Sequence, residues 1–560
     1  MRESVKAGND PTVSVDSESR AGFFTIEIAS YSSYYTIALG RIDGSMSRKQ
    51  HERSRRMTNP GLPQSRSVKN GAEHIESVRD GRAVYLNGKL VHDVSVHPAY
   101  RNAVASAGAL YDYQSRPENV ERMTFDLGGG RHVNRCWQLP RSYAELVGRR
   151  EALVEWAEVS CGFLGRSPDH VASSMSGMMM GIEVFDNYDE KRGRAFRDWY
   201  DHARKQDLFL TYVINNVQGD RSKAFGDQGK NAEDMVARIV DEDASGITIR
   251  GAKLFATSAI MANEIFVGSG QPLKPGEEHL AFSCALPMGT KGINLLSRKS
   301  FEANAVSEYD NPLSSRFDEN DALVFFDDVK VPWERVFVLR NTDMCRAQLH
   351  DTPAHVYQNY QAQIRLSVKL RFLVGLARGI ARTIGTINFP PVVDVLGKLA
   401  SQASLIEGMV LGMEAGGAMR GEYFLPNRQL LYAAQVQSQE MYPAVISTIR
   451  ELAGGALMML PSSAADFDNP EIARMISLTQ VSPVMSGQDR VKLLKLTWDA
   501  VGSEFASRHL QYEMFYAGAQ FVTRGHSYRT YDWDRAAAMA TQIMNSYDLE
   551  DSKQSAGNAT

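Results

Sequence analysis

Apolar residues change their spacing twice along this chain. Between Ser142 and about Leu164, Leu146, Leu153, Trp156, Ala157 and Cys161 recur at a helical period, and Ser142 with Glu145 reads as a capping box. That predicts an amphipathic helix lying on a core. From about Asp207 to Val338 the pattern turns to short β-rich runs broken by turns, "LFLTYVI", "GITIRGAKLFA", "NEIFVGSG", "HLAFSCALPM", "INLLS" and "ALVFFDDVKV". Such spacing predicts a small antiparallel barrel or sandwich. After Pro353 long helical periods return, in "VYQNYQAQIRLSVKLRFLVGLARGIARTIG", in Val392 to Met419, in Gln429 to Leu452 and in Asp489 to Tyr516. Long helices with short joints predict a bundle.

This order makes the chain α+β, with a mainly helical N-terminal domain at 57–205, a middle β domain at 206–345 and a C-terminal helical bundle at 346–548. A length of 560 residues suits several cores. Residues 1–56 are rich in Ser, Tyr and charge and end in the basic "MSRKQHERSRRM"; they read as a disordered extension, or as an over-called start with Met57 the initiator. Residues 549–560 read as a disordered tail.

With 43% hydrophobic and 23% charged residues and a net charge of -4, composition is that of an ordinary soluble protein and disfavours nucleic acid as a partner. No apolar run approaches the ~18 residues of a membrane span. Cys136, Cys161, Cys284 and Cys345 stand far apart without metal-ligand spacing, as expected of reduced thiols in a cytoplasmic protein. "LGGGRH" lacks the dinucleotide fingerprint, and P-loop, zincin and nucleophile-elbow motifs do not occur.

One stretch does carry chemistry. In "FLGRSPDHVASSM" the glycines Gly162 and Gly165 end one helix, Ser167 suits an N-cap, Pro168 the first helical position and Asp169 the positive end of the dipole. Arg166 and His170 then bracket a helix N-terminus. Free N–H groups, a guanidinium and an imidazole converging on one spot can hold an anion, and the same pattern also fits a capped helix with a surface arginine.

"GRSPDH", with "DGRAVYLNGKLVHDVSVHPAYRNAVASAGALYD", "PLSSRFDENDALVFFDDVKVPWERV", "LPSSAADFDNP" and "LTWDAVGSEFASRHLQYE", resembles the oxygenase component of the 4-hydroxyphenylacetate 3-hydroxylase family over about Gly71 to Tyr547. The resemblance implies an acyl-CoA dehydrogenase-like fold, with an N-terminal helical domain, a middle antiparallel β-barrel and a C-terminal four-helix bundle, assembled as a homotetramer. It implies that a separate NAD(P)H-flavin reductase supplies reduced FAD, that oxygen forms a flavin C4a-hydroperoxide on it, and that a phenolic substrate is hydroxylated ortho to its hydroxyl.

By the same resemblance Arg166 holds the ring oxygen, and His170 and Tyr212 stand in the catalytic pocket as donors to a phenolate and a peroxide. His170 replaces a tyrosine of 4-hydroxyphenylacetate members and Tyr212 a histidine; histidine at the first position resembles the branch acting on phenol and substituted phenols, whose own histidine before "PLSSR" is Asn311 here. Ser269, in the substrate loop "GSGQPLKPGEEH", is a substrate contact. The cofactor contacts implied are Gln218, Gly219, Asp220 and Arg221 in "NVQGDRS", Thr257 and Ser258 in "AKLFATSA", and Gly502, Ser503, Glu504 and Phe505 in "GSEF". No metal is expected. "PLSSRFDEND" and "VPWERV" read as structural, with Arg316 paired to Asp318 or Asp321 in a locked turn. The alternatives are a flavin-dependent acyl-CoA dehydratase or dehydrogenase, and a flavin-binding homologue that has lost catalysis.

Overall fold

The structure, a computed structural model, describes residues 68–217, 219–220, 222–223 and 232–549. The N-terminal extension, most of the C-terminal tail, Gln218 and Arg221 lie outside the described residues.

The β-rich middle folds into two sheets. The larger has six strands, ordered Lys89–Val91, Ala83–Leu86, Ile293–Ser297, Ala322–Pro332, Gly246–Lys253 and Arg238–Asp243. The smaller is ordered Val336–Leu339, Phe282–Pro287, Glu264–Val267 and Leu210–Val213. Alternation explains the inner faces: Val324 and Phe326 point inward, a register shift follows, and Val329 and Val331 resume the inward set. Val84, Ile249, Val324 and Phe326 of one sheet meet Val213, Ile265, Val267 and Phe282 of the other in one buried core.

Two features depart from an antiparallel barrel. The described strands form no closed barrel, and Ala83–Leu86 with Ile293–Ser297 and Leu210–Val213 with Glu264–Val267 pair in parallel. Local alternation sets which residues face inward but not the direction of a partner distant in sequence. The first strand pair also comes from the region read as helical. Its signal is present in the sequence, since "LNGK" puts Asn87 and Gly88 at φ +52° and +74°, the left-handed pair of a type I′ hairpin turn.

The C-terminal half is helical. Ala354–Thr383 lies at its centre, largely buried along its first seventeen residues and packed by Pro390–Ala415, Arg428–Ala453 and Gly487–Val501. The period running from Asp489 to Tyr516 is two helices, Gly487–Val501 and Glu504–Phe515. Trp498 lays its ring so close over Gly502 that a β-carbon there would strike it, and Ser503 then caps the second helix by accepting from the Ala506 N–H. No helix of the described residues is long and apolar enough to cross a membrane.

The helix Pro168–Met179 is buried from Pro168 to Met178, so it is a core helix and not a surface one. It meets the start of Ala354–Thr383 through Gly177, where a β-carbon would collide with the Cα of Ala354. Gly177→Ala is expected to push the two helices apart and destabilise the chain by about 1–3 kcal/mol despite alanine's better helix propensity, read as a lower urea midpoint. An unchanged or raised midpoint would show that this contact can relax.

Candidate functional site

The helix start at Pro168 builds the site. Pro168 takes the first position as expected, but the Ser167 hydroxyl makes no capping bond. It donates instead to Oδ1 of Asp169. The capping box predicted for the preceding helix, Tyr143–Val159, is half formed: Ser142 accepts from the Glu145 N–H, while the Glu145 carboxylate takes the N–H of Arg141.

Arg166 sits just ahead of this helix. Its backbone N–H donates to Oε2 of Glu319 at 2.8 Å. Its guanidinium lies between two aromatic faces, 5.2 Å from the ring centre of Tyr212 and 5.4 Å from that of Tyr512, and Nη1 is buried without a hydrogen-bond partner. Burial works against its charge, and the neighbouring Tyr212, Tyr512 and Glu319 outweigh that, so its pKa lies above the usual arginine value. A cation held by π-faces keeps its donors for something else.

His170 is fully buried in the first turn of the helix. Its ring stacks on Tyr212 with centroids 5.9 Å apart, Nδ1 lies 2.8 Å from Oε1 of Gln361, and Nε2 has no partner. Burial first, and the charge of Arg166 second, hold its pKa well below the ordinary histidine value, so the ring is neutral. Tyr212, on the strand Leu210–Val213, accepts from the Gln358 side chain at 3.0 Å. Arg166, His170 and Tyr212 are therefore one cluster, and two of its polar atoms are buried and unused. Buried polar atoms without partners in a native protein call for an explanation, and a ligand is one.

A charged network ties this cluster to the other predicted segments. Arg508, in the helix Glu504–Phe515 that opens at "GSEF", donates to Glu319 and at 2.7 and 2.9 Å to Asp321. Asp321 also accepts from the Thr257 hydroxyl at 2.7 Å and from Arg298 at 2.9 Å. Although burial alone would raise it, Arg508 and Arg298 hold the Asp321 carboxyl well below its usual range. One helix turn on from Arg508, the Tyr512 hydroxyl donates to the Gly165 carbonyl at 3.3 Å. The charge pairing expected in "PLSSRFDEND" is corrected here: Asp318 and Asp321 pair with Arg298 and Arg508, while Arg316 pairs with Glu308. Spacing along the chain suggested a local partner, but the counter-charges come from other elements.

The "AKLFATSA" loop is strained. Phe255 and Ser258 both lie in the left-handed region, at φ +63° and +65°, and the Phe255 ring is 60% exposed. Strain of about 1–3 kcal/mol per such residue persists where the surroundings over-determine it, commonly at ligand clamps. The Ser258 hydroxyl is buried and unpartnered. Beside "GSEF", Arg298, Lys299, Phe301, Gly502, Ser503, Glu504 and Ser507 line a cavity of about 430 Å³ at the N-terminus of the helix Glu504–Phe515. Lys299 is paired with Glu504 at 2.6 Å and Arg298 with Asp318 and Asp321, so it is the helix start that suits a phosphate-bearing group. Phe505 differs from its neighbours in that its ring packs on Phe163, Phe301 and His509 in the core.

In "NVQGDRS" Gly219 is exposed, and Oδ1 of Asp220 accepts from the Ser222 N–H and hydroxyl at 3.0 and 2.6 Å. Ser269 is buried and donates to the Gln271 carbonyl at 3.2 Å. Its loop runs beside the strand of Tyr212, with the N–H groups of Gly268 and Gly270 donating to Val213 and Ile214. Lys253, buried, ties the roots of both loops by donating to Asn216 at 2.7 Å and to the Gly268 carbonyl at 2.8 Å.

Two family models, described as the N-terminal and the C-terminal part of 4-hydroxyphenylacetate 3-hydroxylase, match residues 70–338 and 345–545. The chain belongs to the 4-hydroxyphenylacetate 3-hydroxylase family. It is 33% identical over 490 residues, 85% of this chain and 93% of the relative, to the oxygenase component of 4-hydroxyphenylacetate 3-monooxygenase of Pseudomonas aeruginosa. It is 34% identical over 507 residues, 88% of this chain and 94% of the relative, to the oxygenase component of 4-nitrophenol 2-monooxygenase of a Rhodococcus species. Among solved structures it resembles, with a TM-score of 0.80 and 27% identity over 86% of this chain and 100% of the other, the oxygenase component of 4-hydroxyphenylacetate 3-monooxygenase complexed with FAD and 4-hydroxyphenylacetate. This 4-hydroxyphenylacetate 3-hydroxylase family member thus has the α+β fold expected of it, with two packed sheets in place of a closed barrel.

Tyr512, Glu319, Gln361 and Arg508 do not stand out from the sequence as site residues. Tyr512 and Arg508 have a signal there, since both lie in "LTWDAVGSEFASRHLQYE". Gln361 has none, being one polar residue in a long helical run.

Proposed function

We propose that this chain is the oxygenase component of a two-component, reduced-flavin-dependent aromatic monooxygenase that hydroxylates a phenol ortho to its hydroxyl, with 4-hydroxyphenylacetate-like compounds or substituted phenols as substrates. The observation that carries this reading is the Arg166–His170–Tyr212 cluster, half-buried at Arg166 and Tyr212 and fully buried at His170, with Nη1 and Nε2 themselves buried and unused beside aromatic rings. Two buried polar atoms without partners, in one cluster, fit a ring oxygen, and aromatic walls fit the ring.

The residues present fit FAD. Gly219 and Asp220, the strained loop with Thr257 and Ser258, and Gly502, Ser503 and Glu504 with Arg298 and Lys299 would hold it, the last group taking its phosphates. When bound in reduced form, the flavin would supply the electrons that activate dioxygen, and the transferred oxygen atom would come from that dioxygen. The chain's own work is different. Arg166 donates to the ring oxygen and favours its ionised form, which is richer in electrons at the ortho carbon than the neutral phenol. The Tyr212 and Tyr512 rings keep water from the guanidinium, so its hydrogen bond acts in a low dielectric.

A separate NAD(P)H-flavin reductase is the functional partner, and we place the protein in the cytoplasm as a homotetramer. Met458, Met459, Leu478, Val481, Trp533 and Met539 are exposed in the C-terminal half, and apolar surface of this kind is what self-assembly would cover. The test combines the protein with FAD, NADH, a flavin reductase and oxygen, and screens phenols including 4-hydroxyphenylacetate and 4-nitrophenol. Hydroxylated product that requires both this chain and the reductase is expected. Hydrogen peroxide as the sole product with every phenol would defeat the reading.

A further inference from the structure

His170 has one ring nitrogen engaged and one free, and its neighbours decide which carries the hydrogen. Nδ1 faces Oε1 of Gln361 at 2.8 Å. The Gln361 amide is itself oriented, because its Nε2 lies 3.0 Å from Oδ2 of Asp169. A carboxylate only accepts, so the NH₂ end of Gln361 turns to Asp169 and its carbonyl end to the imidazole. A carbonyl also only accepts. The hydrogen therefore sits on Nδ1, and Nε2, buried and unpartnered, presents a lone pair.

Asp169 is fixed in turn by the Ser167 hydroxyl at Oδ1. Burial raises its pKa, while the bonds from Ser167 and Gln361 and the charge of Arg149 oppose that. The charged and titratable groups around the imidazole are Arg166 just ahead of its helix, Tyr212 from the strand Leu210–Val213, Arg365 from the helix Ala354–Thr383, and Asp169 behind Gln361. None of these gives Nε2 a proton. This reverses the donor role expected for His170 from the family resemblance.

We propose that Asp169 and Gln361 hold His170 as a proton acceptor, so that the pocket takes its substrate as the neutral phenol, with the O–H donated to Nε2 of His170 and the oxygen held by Nη1 of Arg166. This rests on the phenol-binding reading above. As charge moves into the ring, the O–H bond breaks with its electron pair left on oxygen, and the proton forms a new N–H bond at Nε2. Phenolate, imidazolium and guanidinium then share the buried site. His170 is the catalytic base; Gln361 and Asp169 touch neither substrate nor cofactor and are positioning residues.

The test is the pH dependence of 4-nitrophenol binding to the flavin-free full-length protein, followed by the phenol's absorbance. An acceptor site binds the neutral phenol without proton exchange and must take up one proton to bind the phenolate. Affinity is therefore expected to be level below the ligand's ionisation and to fall about tenfold per pH unit above it. A site of donors alone gives the opposite curve, rising about tenfold per unit and then level, and that curve in the unmodified protein would overturn the proposal without any variant. Gln361→Leu should release the ring to carry its hydrogen on Nε2 and abolish the alkaline fall, a change of slope that mere loosening of the fold does not produce. An unchanged slope in Gln361→Leu refutes the role of Gln361. Absence of saturable binding, or equal binding by Arg166→Ala, removes the phenol-site reading itself and the proposal with it.

Discussion

Arg166→Ala is expected to leave oxidation of reduced flavin running while hydroxylated product falls about thirty- to a thousandfold, the difference emerging as hydrogen peroxide. Nη1 is buried and unpartnered, so in the folded protein it has no competing acceptor to give up when a ring oxygen arrives. Loss of a charged hydrogen bond from such a site is worth on the order of 2–4 kcal/mol. The backbone N–H that Arg166 donates to Glu319 survives the substitution, so the helix start and the Arg508 network should persist. The measurement is coupling, product formed per flavin oxidised. Unchanged coupling would return Arg166 to a structural cation sandwiched between tyrosines.

Much of this site is legible in the sequence, and the reasons are local. "GRSPDH" places an arginine, a cap residue, a proline and a histidine within six positions, and a helix start needs no distant partner to be recognised. The long periods of the bundle are legible for the same reason. The break at Gly502 is less so, because the Trp498 ring that bars a side chain there is seen only once the chain has folded back over that glycine. Non-local partners are the blind spot. Sequence pattern can say that Asp318 and Asp321 need counter-charges, but the Arg508 that meets Asp321 arrives from a helix 187 residues away. The proton on His170 is equally hidden, since it depends on Gln361, 191 residues distant, and on which end of that amide meets Asp169. Two parallel strand pairs escape for the same physical reason, as alternation carries no sign of direction.

The largest stability effect is expected behind Tyr512, in Glu513→Ala. Arg365, Lys369 and Glu513 are all about 1% exposed or less, and the carboxylate takes both cations, Lys369 at 3.0 Å and Arg365 through both of its oxygens. Removing the anion leaves two uncompensated charges in the core. Breaking a buried pair from one side costs about 3–5 kcal/mol, whereas replacing all partners by apolar residues can be neutral. Glu513→Ala should therefore unfold at a much lower urea concentration, and Arg365→Met with Lys369→Met added to it should recover much of the loss.

The pH dependence has a definite sign. Burial alone would raise the Glu513 pKa, yet Arg365 and Lys369 hold it at about 2. A folded pKa below the unfolded value of about 4.3 stabilises at higher pH, so the contribution is complete above that value and is lost as pH falls towards 2. The gap in urea midpoint between the unmodified protein and Glu513→Ala should close over that window and stay constant from about pH 5 to 7. The same cluster reaches the site, since the Arg365 guanidinium lies 5.3 Å from the Tyr512 ring, whose hydroxyl holds the Gly165 carbonyl beside Arg166. A Glu513 variant rescued for stability by the two methionines should still show poorer coupling than the unmodified protein, because Tyr512 has lost the charge that fixed one side of its ring. Full recovery of both would confine the cluster to the core.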